Sequence, residues 1–253
     1  MLASSSSGAT TASGRPTGSF ATSVADQLPT DVDFDLVLVT VLAHQVAPLL
    51  PRLVESRGRT VMFMFNTFEP LASLREAMGE RFAFGFPAIG ARIDAEGVLH
   101  ASIQSRGIRT TVTEAAWASV FTDAGIPATT TPDMESWLRS HAAGVVPIMI
   151  TAAEAHRTGR GVSWSRACEL AAAKDEAFAL VRALGHDVIP TAHSVIRWLP
   201  SALTAGLLWG ASRIAPIRAT GAAGDAEPRA LIDAMITAAN RELPALARVR
   251  PQG

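Results

Sequence analysis

The stretch Asp33–Val46, DFDLVLVTVLAHQV, constrains the fold more than any other part of the chain. Phe34–Val41 is a continuous apolar run rich in Val and Leu. Such a run suits a strand of a parallel sheet covered on both faces. It leads into Ala43–Val54, which reads as a helix whose first turns are made irregular by Pro48 and Pro51. Thr60–Phe65, TVMFMF, repeats the strand pattern. Asn66 and Thr67 leave its C-terminal end, Glu69–Met78 reads as a short helix, and Phe82–Phe86 as a third strand. Strand–helix–strand–helix–strand at this spacing is a βαβ succession, which implies a parallel sheet.

The pattern then changes. Ala91–Asp94 and Val98–Ile103 flank DAEG, a hairpin turn signal. Arg109–Val112 reads as a further strand, Glu114–Ala124 as a helix, and Gly125–Thr131 as a short strand and loop. Beyond Pro132 the periodicity is helical, over Met134–Arg157, Ser163–Leu184, Ala192–Trp209 and Pro228–Ala245. The reading is therefore an α/β half over residues 31–131 and an all-helical half over 132–253. Residues 1–30 form a Ser/Thr/Gly-rich leader expected to be disordered. Its first nineteen residues have neither the basic opening nor the apolar stretch of a secretory signal.

Composition narrows the class. Hydrophobic residues make up 48% of the 253, and charged residues 18%, a balance that forms cores. The net charge of −1 gives no excess that would point to nucleic acid. The single cysteine, Cys168, excludes an internal disulfide and fits the reducing cytoplasm. It is expected to be a small buried hydrophobe on a helix. Trp198–Ile217, WLPSALTAGLLWGASRIAPI, is the most apolar run. With Arg213, two prolines and two glycines, it reads as a buried or groove-lining helix and not as a membrane span.

Ligand sites in open parallel sheets lie at the C-terminal ends of strands. Two stretches sit there, Thr40–Gln45 (TVLAHQ) and Asn66–Pro70 (NTFEP). Both place polar groups just beyond an apolar strand. Thr40, Gln45 and Asn66 serve equally well as caps of helices and turns, so both readings stay open. No G-x-G-x-x-G follows a strand, and no Walker loop, H-E-x-x-H or C-x-x-C is present. The six histidines show no metal-ligand spacing, and no metal is expected.

The order of segments carries more. DLVLVTVLAHQ, then TVMFMFNTFEPLASLREAMG, then a small hairpin, then TDAGIPATTTPDMESWLRSHAA resembles the ketopantoate reductase family over roughly Asp35–Pro147. The resemblance implies an incomplete Rossmann-type parallel sheet followed by an all-helical C-terminal domain, with NADPH as cofactor. The family's glycine-rich loop lies well upstream of the strand at Phe34, so the chain reads as N-terminally truncated. Carried over by position, Thr40, Val41, Leu42, Gln45 and Asn66 are the implied cofactor-binding residues. Leu42 stands where the family has a lysine.

At the long interdomain helix, Arg139 occupies the place of the catalytic lysine, two residues after Trp137. Arginine keeps the charge that stabilises an oxyanion, but it is a poor proton donor. Asn66 and Arg139 are the implied catalytic residues. His141 is a nearby alternative donor, although its spacing from Arg139 directs it to another side of the helix. Asp225 and Glu227 are loose substitutes for the family's C-terminal acidic segment. The implied activity is hydride transfer from NADPH to a small-molecule carbonyl, a 2-oxoacid or related compound, by a cytoplasmic protein that engages neither membrane nor nucleic acid and is able to form a homodimer. The alternative is a non-catalytic remnant acting as an interaction or oligomerising protein.

Overall fold

The computed structural model describes residues 4–5, 22–93, 99–103, 108–189 and 194–252. Strands β1 (Ser4–Ser5) and β2 (Thr22–Ser23) pair antiparallel. Most of the leader expected to be disordered lies outside the described residues. Then β3 (Asp33–Val39), α1 (Leu50–Glu55), β4 (Arg57–Met64), α2 (Ala72–Met78) and β5 (Phe82–Phe86) form the anticipated succession, with all three strands parallel. The hairpin of β6 (Ile89–Ile93) and β7 (Leu99–Ile103) follows; its DAEG turn lies outside the described residues. Strand β8 (Thr110–Val112) returns antiparallel to β5. After α3 (Ala115–Asp123), β9 (Ala128–Thr130) joins parallel to β8. The sheet order is β3-β4-β5-β8-β9.

The expectation that the first apolar strand is covered on both faces holds for β4, not for β3. Val61, Met62 and Phe63 of β4 are fully enclosed, whereas Leu38 of β3 is 44% exposed. Strand β3 is an edge, with β4 its one sheet neighbour among the described strands, and so lacks the cover that central strands receive. The expected helix over Ala43–Val54 is shorter. Two 3₁₀ turns, Ala43–Gln45 and Ala47–Leu49, precede the six-residue α1. Pro48 and Pro51 have no N–H to donate, which removes the i→i−4 bonds a longer helix needs.

The second half comprises α4 (Met134–Thr158), α5 (Trp164–Ala183), α6 (Ser201–Ala211), α7 (Ala215–Thr220), α8 (Ala226–Ala238) and α9 (Pro244–Val249). Three readings of this half change. The helix expected over Ala192–Trp209 is a 3₁₀ turn at Ser194–Trp198 and then α6, with Pro200 at the junction. The helix expected over Pro228–Ala245 starts earlier and divides, because Ala239 turns to extended backbone (ψ 140°) and Pro244 opens a new helix. Cys168 is exposed. On α5 the buried face is set by Ala167, Leu170, Ala171 and Lys174, and position 168 lies outside that stripe.

Helix α4 ties the halves together. Asp133 caps it, accepting from Ser136 N at 2.9 Å, and Gly159 closes it with φ 67°. Met134 and Leu138 pack into the sheet core beside Val39, Val61, Phe63 and Phe84. Ala142, Val146 and Ile150, further along, enter the bundle core with Leu170, Phe178 and Ile232. Each large side chain so enclosed contributes about 1.5–3 kcal/mol. Phe68, in the loop after β4, is fully buried in that bundle core. The loop at the end of the central strand is therefore clamped beneath the helical half.

Candidate functional site

At the C-terminal ends of β3 and β4, the sheet meets the first turns of α8. The cavity there has a volume of about 80 Å³, and Leu42, His44, Asn66, Phe68, Glu227 and Leu231 are among its lining residues. Pockets that enclose whole small-molecule ligands are about 300–1,000 Å³. This one takes the end of a ligand, not all of it.

Asn66 follows β4 directly and is 8% exposed. Its Oδ1 has no hydrogen-bond partner. An unpaired buried acceptor costs about 1–3 kcal/mol, so the position calls for a donor. Glu227 faces Asn66 from the first turn of α8. Burial raises its carboxyl pKa, and hydrogen bonding with the Asn66 side chain offsets part of that rise. Glu227 therefore holds a proton to higher pH than an exposed glutamate. Beside these polar groups, Phe68, Leu42 and Leu231 keep the floor of the cavity apolar.

The helical boundary explains why Glu227 stands out only here. A helix counted from Pro228 leaves it in a loop. Started at Ala226, the helix places Glu227, Ala230, Leu231 and Ala234 on one face, and all four line the cavity. Asp225, named with it as a loose substitute, does not line the cavity, and its buried Oδ1 has no partner.

The other sequence candidates divide. Leu42 lines the cavity with Asn66. Thr40 is exposed and Val41 packs at the rim of the sheet core. Gln45 is exposed, and its Oε1 accepts from Leu42 N at 3.0 Å, closing the 3₁₀ turn. Its observed role is a cap. Arg139 is 5% exposed and does not line the cavity; its guanidinium carbon is 5.2 Å from the ring centroid of Phe68, which does. Its Nε has no hydrogen-bond partner. Desolvation pulls its pKa down, while Glu135 and Asp133 push it back up.

Around Arg139 the start of α4 is tied to the segment after α5. Ser136 Oγ and His186 Nδ1 are 2.9 Å apart, and Ser140 Oγ accepts from Ile189 N at 2.9 Å. Burial and the Arg139 charge lower the His186 pKa, with Asp133 and Glu135 opposing. Trp137 and His141 share a different face of α4. Their rings stack at 5.2 Å with planes 5° apart, and Phe86 of β5 lies 4.3 Å from the His141 ring. His141 thus points away from Arg139, as its spacing implied. Among the described residues no group of three or more His, Cys, Asp or Glu side chains could hold a metal ion.

No protein-family model and no curated protein matches the chain. Its architecture does match solved structures. A dimeric ketopantoate reductase from Staphylococcus aureus superposes with a TM-score of 0.63 at 12% identity, over 98% of this chain and 85% of that one. A 2-dehydropantoate 2-reductase from Geobacter metallireducens gives 0.63 at 15% identity, over 92% and 82%. A D-mandelate dehydrogenase solved with NADH and anilino(oxo)acetate gives 0.60 at 11%, over 88% and 75%. The chain has the fold of these reductases, a Rossmann-type sheet followed by a helical domain.

Proposed function

We propose that the chain is a divergent relative of the ketopantoate reductases, an oxidoreductase that uses NADPH to reduce the carbonyl of a small molecule, a 2-oxoacid or a related ketone. We also propose that it acts in the cytoplasm as a homodimer. The observation that carries this reading is the placement of Asn66, whose buried Oδ1 has no partner, beside Glu227 in one cavity at the end of the central parallel strand. Open α/β sheets take their ligands at that place. The solved reductases and dehydrogenase of the same fold support the class of chemistry.

Leu42 and Asn66 suit the nicotinamide end of the cofactor, with Thr40 and Val41 beneath and Gln45 holding the turn. The unpaired Asn66 Oδ1 fits an amide N–H, which supports a nicotinamide at this end of the cavity. When bound, that ring supplies the hydride. Asn66 orients the reacting group, and Glu227, whose carboxyl keeps its proton to higher pH, delivers that proton to the carbonyl oxygen as it gains charge. Arg139, over the Phe68 ring, adds positive potential. Phe68 and Leu231 keep water from the floor.

A titration that follows NADPH fluorescence, together with turnover on a panel of 2-oxoacids and ketones, tests the reading. Binding that weakens at least tenfold in Asn66→Ala supports it, and a chain that takes up no nicotinamide nucleotide sinks it. The second reading, a non-catalytic interaction protein, draws on the open edge of β3. A stable oligomer with no nucleotide affinity would favour that reading.

A further inference from the structure

Two glutamates, Glu69 and Glu227, line the cavity at the ends of β3 and β4, and among the described residues no lysine or arginine does. Glu69 lies in the loop that leaves β4 and is exposed. Its backbone N–H donates to Thr67 Oγ1 at 3.0 Å, which fixes the course of that loop past Asn66. Glu227 comes from the first turn of α8. Arg139 is buried over the Phe68 ring and does not line the cavity. His44 is the one lining side chain able to become a cation, and it is exposed.

The buried polar surface of the cavity thus lacks a counter-ion for an anion, and it has an acceptor to spare. Asn66 is 8% exposed and its Oδ1 has no partner. A carbonyl oxygen has two lone pairs, so Oδ1 has room for a substrate N–H beside the nicotinamide amide. A carboxylate has no hydrogen to give. Placed here it would set acceptor against acceptor and add its charge to an acidic wall, and an unpaired charge is costly to bury. An ammonium fits little better. Glu227 keeps its proton to higher pH than an exposed glutamate, and Leu42, Phe68 and Leu231 offer a cation no polar contact. An uncharged amide meets both conditions, because it brings N–H donors and no charge.

We propose that the site reduces 2-oxoamides in preference to 2-oxoacids, with Asn66 and Glu69 as the residues that set this choice. The proposal rests on the reductase reading of the same cavity and narrows its substrate class. In the reaction the ketone carbon of the 2-oxoamide gains a hydride from NADPH. The ketone oxygen takes the Glu227 proton as the C=O π bond opens. The products are a 2-hydroxyamide and NADP⁺, and Glu227 recovers a proton from solvent. The amide N–H beside the ketone gives Asn66 Oδ1 the donor it lacks.

Turnover of matched pairs is the first measurement: pyruvamide against pyruvate, and 2-oxobutanamide against 2-oxobutanoate, each with NADPH. The amides should show kcat/KM at least about tenfold above the acids, since a site with an unmet acceptor rejects a ligand that has no donor. Glu69→Lys puts a cation at the cavity and should narrow that ratio about tenfold, through a rise on the acids. The second measurement needs no nucleotide. Lactamide should shift the Asn66 side-chain amide signals in NMR spectra to saturation, and lactate at the same concentrations should not. In Asn66→Ala the lactamide shift of the Phe68 backbone amide should disappear. A chain that takes up no NADPH sinks the reductase reading, and the NMR titration alone then decides the amide preference, as it does where none of the four carbonyl compounds turns over. Acids reduced as well as the amides overturn this proposal and leave the reductase reading in place. So does lactate that binds as tightly as lactamide, or an Asn66 signal that neither compound moves.

Discussion

The guanidinium of Arg139 lies over the ring of Phe68, 5.2 Å from its centroid, and Phe68 in turn lines the cavity that Asn66 and Glu227 share. This buried cation has an unpartnered Nε, and the nearby acids already have other bonds: Glu135 accepts from Leu71 N and Asp133 from Ser136 N. Arg139→Met should therefore leave stability within about 1 kcal/mol of wild type, since apolar replacement of a poorly paired buried charge is close to neutral. A loss of about 3–5 kcal/mol in urea unfolding would mean that a full ion pair had been broken. The same substitution removes one of the charges that hold the His186 pKa down. Titration by NMR should show His186 moving up toward its ordinary value.

Glu227 gives a pH dependence whose sign follows from burial. Its carboxyl pKa is raised in the folded chain above the ordinary 4.5. The folded state thus binds the proton more tightly than the unfolded state does. Its stabilising contribution is complete below about pH 4.5 and is lost as the pH climbs through the folded-state value. Glu227→Gln removes that loss. The variant should match wild type at pH 4 and be more stable at pH 7.5 by chemical denaturation. Equal stability at both values would place Glu227 in water. If Glu227 is the proton donor, turnover should fall about 10²–10⁴-fold in the same variant.

Much of this arrangement is legible in the residues. The apolar runs at Phe34, Thr60 and Phe82 locate three parallel strands, because uninterrupted Val, Leu and Phe have few other uses at that length. Asn66 is legible as a polar residue directly after a buried strand. Glu227 is not, because its place depends on a helix starting at Ala226, and the Pro at 228 invites a later start. Gln45 shows the converse. Its position beyond a strand resembles a ligand contact, yet the Leu42 N–H is nearer and takes the side chain. The exposure of Leu203 and Leu207 on α6 cannot be read at all, since composition says only that a helix is apolar and not which neighbour covers it. Cys168 fails for the same reason: residue type suggests burial, while helix rotation decides it.

Lys174 carries a charge into the core of the helical half. It is fully buried. Its Nζ donates to Leu199 O at 2.9 Å, Thr204 Oγ1 at 3.1 Å and Ile196 O at 3.3 Å, and lies 2.8 Å from Asp175 Oδ1. The ammonium adds a second donor to the Ile196 and Leu199 carbonyls where the 3₁₀ turn meets α6. Lys174→Met fills similar volume but removes the shared donor from those acceptors and the partner of Asp175. A loss of about 3–5 kcal/mol is expected in urea unfolding. It should also loosen α6, so hydrogen exchange over Leu199–Thr204 should rise more than elsewhere. A change under about 1 kcal/mol would mean that water replaces the ammonium there.

Gly221 sits where the turn after α7 meets the backbone of α4. A Cβ built there would stand 2.1 Å from Ala152 O and 2.8 Å from Ala153 N. Neither atom can move without displacing the helix that joins the two halves. The backbone of Gly221 itself is ordinary, with φ −68°, so the constraint is contact and not conformation. Gly221→Ala should therefore cost about 3 kcal/mol or more, beyond the 1–3 typical of overpacking by a methyl group. The comparison is Gly159→Ala, at the end of α4, where a Cβ has open space but φ is +67°. That variant carries only the strain of a left-handed residue, about 1–2 kcal/mol. Thermal melts of the two should place Gly221→Ala well below Gly159→Ala. The reverse order would show that α4 shifts readily at Ala152, and that the joint between sheet and bundle is soft.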